Sequence, residues 1–186
     1  IILSAGMLRA QQTFTKMFQS PPSYSFNLIE LPGHNILAGL AGTHLMDNEG
    51  YIEHSSYYYY SGETYGTQTL RAAGCNEFYF TTVTAYPPPT PACDQPVIGK
   101  MDSLGSVSVM RRYKLASDSC NHAPGGLEVL ENMGAISWGR DQDFFALRTH
   151  SDLGVRWTKR IYRSGGFRFI KELPSGDLLA GINMDT

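Results

Sequence analysis

A hairpin-like segment occurs three times in this chain, and this repetition constrains the fold more than any other feature. The copies are Phe26 to Gly39, Leu127 to Gly139 and Phe167 to Gly181. Each copy alternates apolar and polar residues, passes through a short turn, and rises through aliphatic residues to glycine. This pattern is typical of a β-hairpin. Because one hairpin buries too little apolar area to fold alone, we expect several units to stack on one another.

A second kind of turn follows the hairpins and combines Asp or Ser, a small polar residue and glycine. Asp and Asn side chains hydrogen-bond to their own backbone in such turns, and glycine supplies a positive φ. We expect these three turns to occupy equivalent positions in successive sheets, because they share one place in the repeat. Their glycines should have a positive φ or leave no room for a Cβ. The three turns are Asp47 to Gly50, Asp102 to Gly105, and Ser151 to Gly154, the last of which contains Asp152.

Aromatic or basic strands follow these turns, so that one unit comprises two hairpins, or four strands. The predicted strands are Glu53 to Tyr60, Val109 to Leu115 and Arg156 to Tyr162. The units repeat at roughly 40 to 55 residues, within the range of propeller blades. The predicted fold class is all-β: β-propeller-like repeats of four-stranded antiparallel sheets, about four units with incomplete ends. The units span approximately residues 1–20 in part, 24–60, 67–115, 125–163, and 166–186 in part, within one repeat domain over 1–186.

Composition agrees with an all-β chain and excludes some classes of partner. The 186 residues include 11 Tyr, 9 Phe, 19 Gly and 10 Pro, which are strand formers punctuated by turn residues. The net charge of −2 gives no indication of nucleic acid as a partner. No apolar run is long enough to cross a bilayer as a helix.

Both ends of the chain resemble parts of the repeat. Ile1 to Gly6 is similar to the second strand of the hairpin, and Thr186 directly follows a hairpin. We therefore expect the chain to be a fragment of a longer repeat protein. One alternative is association with a neighbouring chain in an assembly. Another is closure of Ile1 to Gly6 against Leu178 to Gly181 within one chain.

Two segments carry a resemblance to a known group of proteins. Leu173 to Gly181 (LPSGDLLAG) and Asp152 to Tyr162 (DLGVRWTKRIY) resemble the repeats of large secreted β-propeller proteins of the Bacteroidota. Those proteins often leave the cell through type IX secretion. The resemblance implies a secreted or cell-surface protein, and the secretion route is inferred by similarity alone.

The second unit contains an insertion, Ala85 to Pro96 (AYPPPTPACDQP), which we interpret as a projecting loop of polyproline character. Cys93 lies in this loop, and Cys120 lies in another polar loop. In an exported protein one disulfide is plausible, with Cys93–Cys120 as the first choice and Cys75–Cys93 as the second.

Residues that could carry chemistry are few. The 5 His residues form no HExxH motif, and the evenly spaced His34, His44 and His54 fall in different elements, so a metal site is not predicted. No Gly-x-Ser-x-Gly motif exposes a serine nucleophile. We therefore expect no enzyme activity and no cofactor.

Exposed aromatic residues are the remaining candidates for binding. The run Tyr57 to Tyr60 would place alternate rings on opposite faces of a strand, so Tyr58 and Tyr60 are candidates to contact sugars or proteins, together with Trp157. The alternative is a purely structural role, in which neighbouring blades pack on both faces of this strand and the tyrosines bind no ligand. The favoured function is a non-catalytic, exported structural or adhesive repeat protein, with chains of a surface assembly or glycans as partners. The alternative is a carbohydrate- or protein-binding propeller that uses the exposed tyrosines and the proline-rich loop.

Overall fold

The computed structural model describes a chain made of β-strands. It describes residues 27–31, 33, 35–39, 43–47, 49, 51–56, 58–60, 63–65, 69–74, 76–84, 95–115, 123–140, 144–161 and 166–183, with the backbone alone at 27, 58–60, 63–65, 83–84, 123, 140, 161 and 166. These residues form sixteen β-strands and, within the described ranges, no helix. None of the described residues therefore belongs to a helix that could span a membrane.

The strands form three four-stranded sheets and two separate hairpins. The first sheet contains β1 (Asn27–Glu30), β2 (Ile36–Gly39), β3 (Thr43–Met46) and β4 (Ile52–Ser56). Next comes the tyrosine hairpin, β5 (Tyr58–Tyr60) and β6 (Glu63–Tyr65). The second sheet contains β7 (Thr69–Ala72), β8 (Phe78–Thr84), β9 (Gln95–Met101) and β10 (Val107–Arg112). The third contains β11 (Ala123–Val129), β12 (Ala135–Arg140), β13 (Phe144–Thr149) and β14 (Val155–Ile161). The last hairpin is β15 (Gly166–Glu172) and β16 (Leu178–Asn183).

Within each sheet, strands that follow one another along the chain are antiparallel neighbours. The prediction of an all-β chain with four-stranded antiparallel sheets is therefore confirmed. One predicted strand is wrong, because Glu53 to Tyr60 is not continuous: β4 ends at Ser56, and Tyr58 begins a strand that pairs with β6. Ile1 to Gly6, with the rest of the first partial unit, lies outside the described residues.

The core consists of three clusters of buried apolar side chains, each lying between two consecutive sheets. Adjacent residues of a strand belong to different clusters because their side chains point to opposite faces. For example, Phe78 and Phe80 pack towards the first sheet, whereas Tyr79 packs towards the third. In the third sheet, Leu127 packs towards the second sheet and Ile136 towards the last hairpin. The second and third sheets thus bury apolar residues on both faces.

The first strands of successive units lie next to one another. Strand β1 contacts β7, β7 contacts β11, and β11 contacts β15. Strand β11 also contacts β8 and β9, and β15 also contacts β12. The first strands of successive units therefore form one continuous row, and neighbouring strands share in the face-to-face packing.

Candidate functional site

The turns between paired strands share one hydrogen bond. In each, the backbone N–H of the first turn residue donates to the carbonyl oxygen four residues later, over 2.7 to 3.1 Å. Seven described turns have this bond, and we number their residues one to five. The pairs are Leu31–Asn35, Asp47–Tyr51, Ala73–Glu77, Asp102–Ser106, Leu130–Gly134, His150–Gly154 and Leu173–Asp177.

Aspartate side chains complete the second kind of turn. Asp47 Oδ1 accepts the backbone N–H groups of turn positions three and five at 2.9 and 2.8 Å, and Asp102 Oδ1 does the same at 2.9 and 2.8 Å. In the third sheet, Asp152 Oδ1 accepts the N–H of Gly154 at 2.8 Å. That hydrogen bond lowers the pKa of the Asp152 carboxyl, which is fully exposed to solvent. One oxygen of each carboxylate is therefore engaged by its own turn.

The three aspartates do not share one register. Asp47 and Asp102 occupy position one, but His150 occupies position one in the third sheet, so Ser151 is at position two and Asp152 at position three. All three turns join the third and fourth strands of a sheet, which agrees with the expectation that they occupy equivalent positions in successive sheets, although the third is offset by one residue.

In the second and third sheets, the positive φ of the turn between the third and fourth strands falls on position four. Gly105 has φ +77°, which is one of the two predicted outcomes, whereas in the third sheet the positive φ, +64°, belongs to Leu153 and not to Gly154. A Cβ on Gly154 would lie 3.0 Å from Asp152 Oδ1, which is the crowding that the prediction allowed for. Gly50 lies outside the described residues.

Two tyrosines connect the second sheet to turns of the third. The Tyr113 hydroxyl donates to the carbonyl oxygen of Leu153 at 2.8 Å, and the Tyr79 hydroxyl donates to that of Met133. Both acceptors are position-four residues with positive φ, +64° at Leu153 and +60° at Met133. Burial raises the pKa of both phenols, and Lys100 opposes the rise at Tyr79. Both hydroxyls therefore stay protonated, and so able to donate, well above neutral pH.

Lys100 contacts the face of the same tyrosine ring. Its Nζ lies 4.6 Å from the centroid of the Tyr79 ring and 2.7 Å from Glu77 Oε1. The Lys100 side chain is mostly buried, whereas that of Glu77 is 40% exposed. This cation–π contact helps to hold the Tyr79 ring in place, and the hydroxyl of that ring donates to the Met133 carbonyl in the third sheet.

Glu172 joins the third sheet to the last hairpin. Its Oε1 lies 3.0 Å from Arg148 Nη2, and its Oε2 accepts the backbone N–H of Glu131 at 3.0 Å. Both side chains are close to 10% exposed, at 11% for Arg148 and 12% for Glu172. Glu172 uses both carboxylate oxygens in these contacts, whereas Arg148 Nε is buried without a hydrogen-bond partner among the described residues. Because charges so far removed from water are costly to leave unpaired, removing either partner should destabilise this junction.

The first and second sheets meet at a turn. Ser56 Oγ donates to the carbonyl oxygen of Leu104 at 3.0 Å, and a Cβ on Gly105 would lie 3.0 Å from Ser56 Cβ. Thr43 Oγ1 also lies 3.5 Å from Met101 Sδ. The glycine at position four of this turn is thus required both for its φ and for the closeness of the neighbouring sheet.

Aromatic rings cover glycines that lie directly opposite them within a sheet. Phe80 is paired with Gly99, Trp138 with Gly126, and Phe169 with Gly181. A Cβ on any of these glycines would lie between 2.2 and 2.4 Å from the ring. Only glycine leaves room for a ring to lie flat against the backbone. The ring in turn covers a strand position that glycine, which has no side chain, leaves unpacked.

The predicted binding residues do not come together in one site. Trp157 is partly buried against the cluster between the third sheet and the last hairpin. Tyr58 and Tyr60 lie on the tyrosine hairpin, opposite Tyr65 and Glu63 in register, and only their backbone is described. Cys75, Cys93 and Cys120 lie outside the described residues, as does the proline-rich loop from residue 85 to 94.

The histidines also lie apart. His44 Nδ1 is 2.8 Å from Ser55 Oγ, and His54 Nε2 is 3.2 Å from Ser56 Oγ. His34 lies outside the described residues. Within the part of the chain that the structure describes, no group of three or more His, Cys, Asp or Glu residues could hold a metal ion.

Sequence reasoning missed Tyr79, Tyr113, Arg148 and Glu172, which make the polar contacts between sheets. Glu172 matches Glu30 before the turn of the first hairpin copy, and Tyr113 lies eight residues after its turn glycine, as do Tyr58 and Tyr162. The repeat nevertheless does not indicate which residue of a neighbouring sheet each side chain contacts.

Comparison with known proteins adds no further assignment: no family model matches the chain, and no curated protein matches it significantly.

Proposed function

We propose that this chain is a non-catalytic structural or adhesive protein, exported or held at the cell surface, whose sheets are propeller-like blades. A propeller blade is a four-stranded antiparallel sheet, and blades pack face to face around an axis. Two observations support this arrangement. The first strands of successive sheets form one row, and the second and third sheets bury apolar residues on both faces.

The structural role in this proposal is supported by the polar groups at the turns, which form hydrogen bonds within the chain. The Asp47, Asp102 and Asp152 carboxylates accept hydrogen bonds from their own backbone. The Tyr79 and Tyr113 hydroxyls donate to turns of the next sheet. These groups therefore serve the packing of the sheets. A protein whose recurring chemistry maintains a stack of sheets is suited to a mechanical or scaffolding role.

Export is supported by the resemblance of Leu173 to Gly181 and Asp152 to Tyr162 to secreted repeats. Intact source cells treated with a membrane-impermeant amine-reactive biotin should yield the labelled protein. Labelling only after lysis would contradict export. Peptide mapping without reduction tests the predicted Cys93–Cys120 disulfide in the same material, since an oxidising compartment favours it.

The adhesive role is tested with beads that carry the purified chain. Source-cell envelopes should retain these beads under flow, and a variant with Tyr58→Ala and Tyr60→Ala should be retained equally well. The matched control is Tyr51→Ala, because Tyr51 is 60% exposed in a turn of the first sheet. Failure of envelopes to retain any of the three proteins would contradict an adhesive role.

A second candidate function is a carbohydrate- or protein-binding propeller. The tyrosine hairpin favours it, because this hairpin interrupts the succession of four-stranded sheets and carries four tyrosines in its two short strands. An element outside the repeated sheets is free to serve recognition, as loops and insertions often do. Tight binding on a glycan array, lost with the paired Tyr58 and Tyr60 substitutions and kept by Tyr51→Ala, would favour this candidate.

A further inference from the structure

The last hairpin carries an exposed leucine at a position that is buried in each of the three complete sheets. We call the face of a sheet that packs on the following sheet its forward face. The residue at position seven, counted from the first residue of the turn between the first and second strands, lies on this face. It is fully buried in the three complete sheets, at 0% exposure for Leu37, Tyr79 and Ile136. In the last hairpin the same position is Leu179, which is 50% exposed.

Neighbouring residues of the last hairpin repeat this contrast. Leu173 begins its turn and is 38% exposed, whereas Leu130, which begins the corresponding turn of the third sheet, is 2% exposed. Phe169 covers Gly181 on the same face and is 44% exposed. Exposed apolar patches of this kind mark interaction sites in soluble proteins. The forward face of the last hairpin therefore has the composition of a buried junction without a partner sheet among the described residues.

The first sheet shows the complementary exposure on its opposite face, the rear face, which is the face that packs on a preceding sheet. The residue three places before the turn lies on the rear face. It is 1%, 0% and 3% exposed at Leu70, Leu127 and Ile170. In the first sheet the same position is Leu28, which is 52% exposed. Both halves of one further junction are thus exposed in a single chain.

We propose that the forward face of the last hairpin binds the rear face of the first sheet of a second copy of this chain, head to tail. The partner is argued from continuity: the three junctions within the chain use the same positions, and each brings together the first strands of two units. Among the described residues, the first sheet does not cover the last hairpin, because Leu28 and Leu179 are both exposed. The inference rests on the stacking of blades in the proposed function, and it names the partner of that stack.

Burial defines the extent of the contact. Ala38 and Met46, also on the rear face of the first sheet, are already buried, which confines the new contact to β1. A head-to-tail contact is heterologous, so repetition produces a closed ring or an open filament.

The test is sedimentation velocity of the full chain over a wide range of concentration. Wild type should associate as concentration rises, whereas Leu28→Asp and Leu179→Asp should each remain monomeric. The matched control is Val155→Asp, because Val155 is 53% exposed on the fourth strand of the third sheet, away from both faces; it should associate like wild type. Urea unfolding of each variant verifies that it is folded.

Mixing the two variants separates head-to-tail contact from other modes. The forward face of the last hairpin is unaltered in the Leu28→Asp variant, and the rear face of the first sheet is unaltered in the Leu179→Asp variant. An equimolar mixture should therefore form a dimer and nothing larger. A monomeric wild type, or a mixture that stays monomeric, would overturn the inference. Self-association of Leu28→Asp alone would overturn it too, because it would indicate that two last hairpins pair face to face.

The two tests distinguish this inference from the proposed function. If wild type is monomeric but its beads are still retained by the envelopes, only the head-to-tail inference is wrong. If wild type associates but its beads are not retained, only the adhesive role is wrong.

Discussion

The hydroxyl of Tyr113 donates a hydrogen bond to the carbonyl oxygen of Leu153, 2.8 Å away, and thereby joins the second sheet to a turn of the third. Leu153 is fully buried and has a positive φ, an uncommon combination for a leucine. The bond lies beside the cluster formed by Tyr79, Ile98 and Leu127. The tyrosine thus stabilises a strained turn and a sheet junction at the same point.

Replacing Tyr113 by Phe should lower stability by removing only the hydroxyl. The buried Leu153 carbonyl would lose its donor, which costs about 1–2 kcal/mol. For a chain of this size, each kcal/mol should shift the melting temperature by about 2–4 °C. Urea unfolding measures the change. Tyr51→Phe is the control, since Tyr51 is 60% exposed, and equal stability of both variants would show that the bond contributes nothing.

Replacing Gly105 by Ala should destabilise the junction between the first and second sheets. The alanine would have to adopt φ +77°, and its Cβ would lie 3.0 Å from Ser56 Cβ. The two effects together should cost about 1–3 kcal/mol. Gly74→Ala is the matched control, because nothing lies within 4 Å of its Cβ position and its φ is not positive. Thermal unfolding in which both variants melt together would contradict the role given to Gly105.

Replacing Glu172 by Gln should loosen the last hairpin. The amide oxygen can still accept the N–H of Glu131, but the charge that faces Arg148 is removed. A mostly buried arginine without its partner should cost about 2 kcal/mol or more. A double-mutant cycle with Arg148→Met isolates the pair, and a coupling energy near zero would contradict the interaction. Lys171→Gln, which changes an exposed charge on the same strand, is the control.

The sequence predicted what is local and repeated. Turns that begin at Leu31, Leu130 and Leu173 lie where the hairpin copies indicated, because their alternation and turn residues are short-range signals. The strand boundary near the tyrosine run was harder to predict, because Tyr57 to Tyr60 has the composition of a strand whether it extends β4 or begins another strand. Nothing in local composition marks the end of β4 at Ser56.

Contacts between sheets could not be predicted from the repeat. Tyr113 and Leu153 are 40 residues apart, and Tyr79 and Met133 are 54 residues apart. The partner of each tyrosine depends on how the sheets pack rather than on the local pattern. The one-residue offset in the third turn has a similar origin. Gly lies three residues after the first Asp or Ser in each of the three sequence motifs, so the turns look alike, but the hydrogen bond from His150 to Gly154 decides which residue takes the positive φ.

The last prediction concerns pH and His44. His44 is buried on β3, where burial lowers the pKa of its imidazole below 6.5 and its Nδ1 faces Ser55 Oγ. Above pH 6.5 the ring is neutral in both folded and unfolded chains, so its contribution to stability is fully present. As pH falls below 6.5, the unfolded chain takes up a proton that the folded chain resists, and the free energy of unfolding should decrease until pH passes the folded pKa. Urea unfolding of wild type and His44→Gln at several pH values between about 5 and 8 measures this difference. A His44→Gln profile as steep as that of wild type would contradict the assignment.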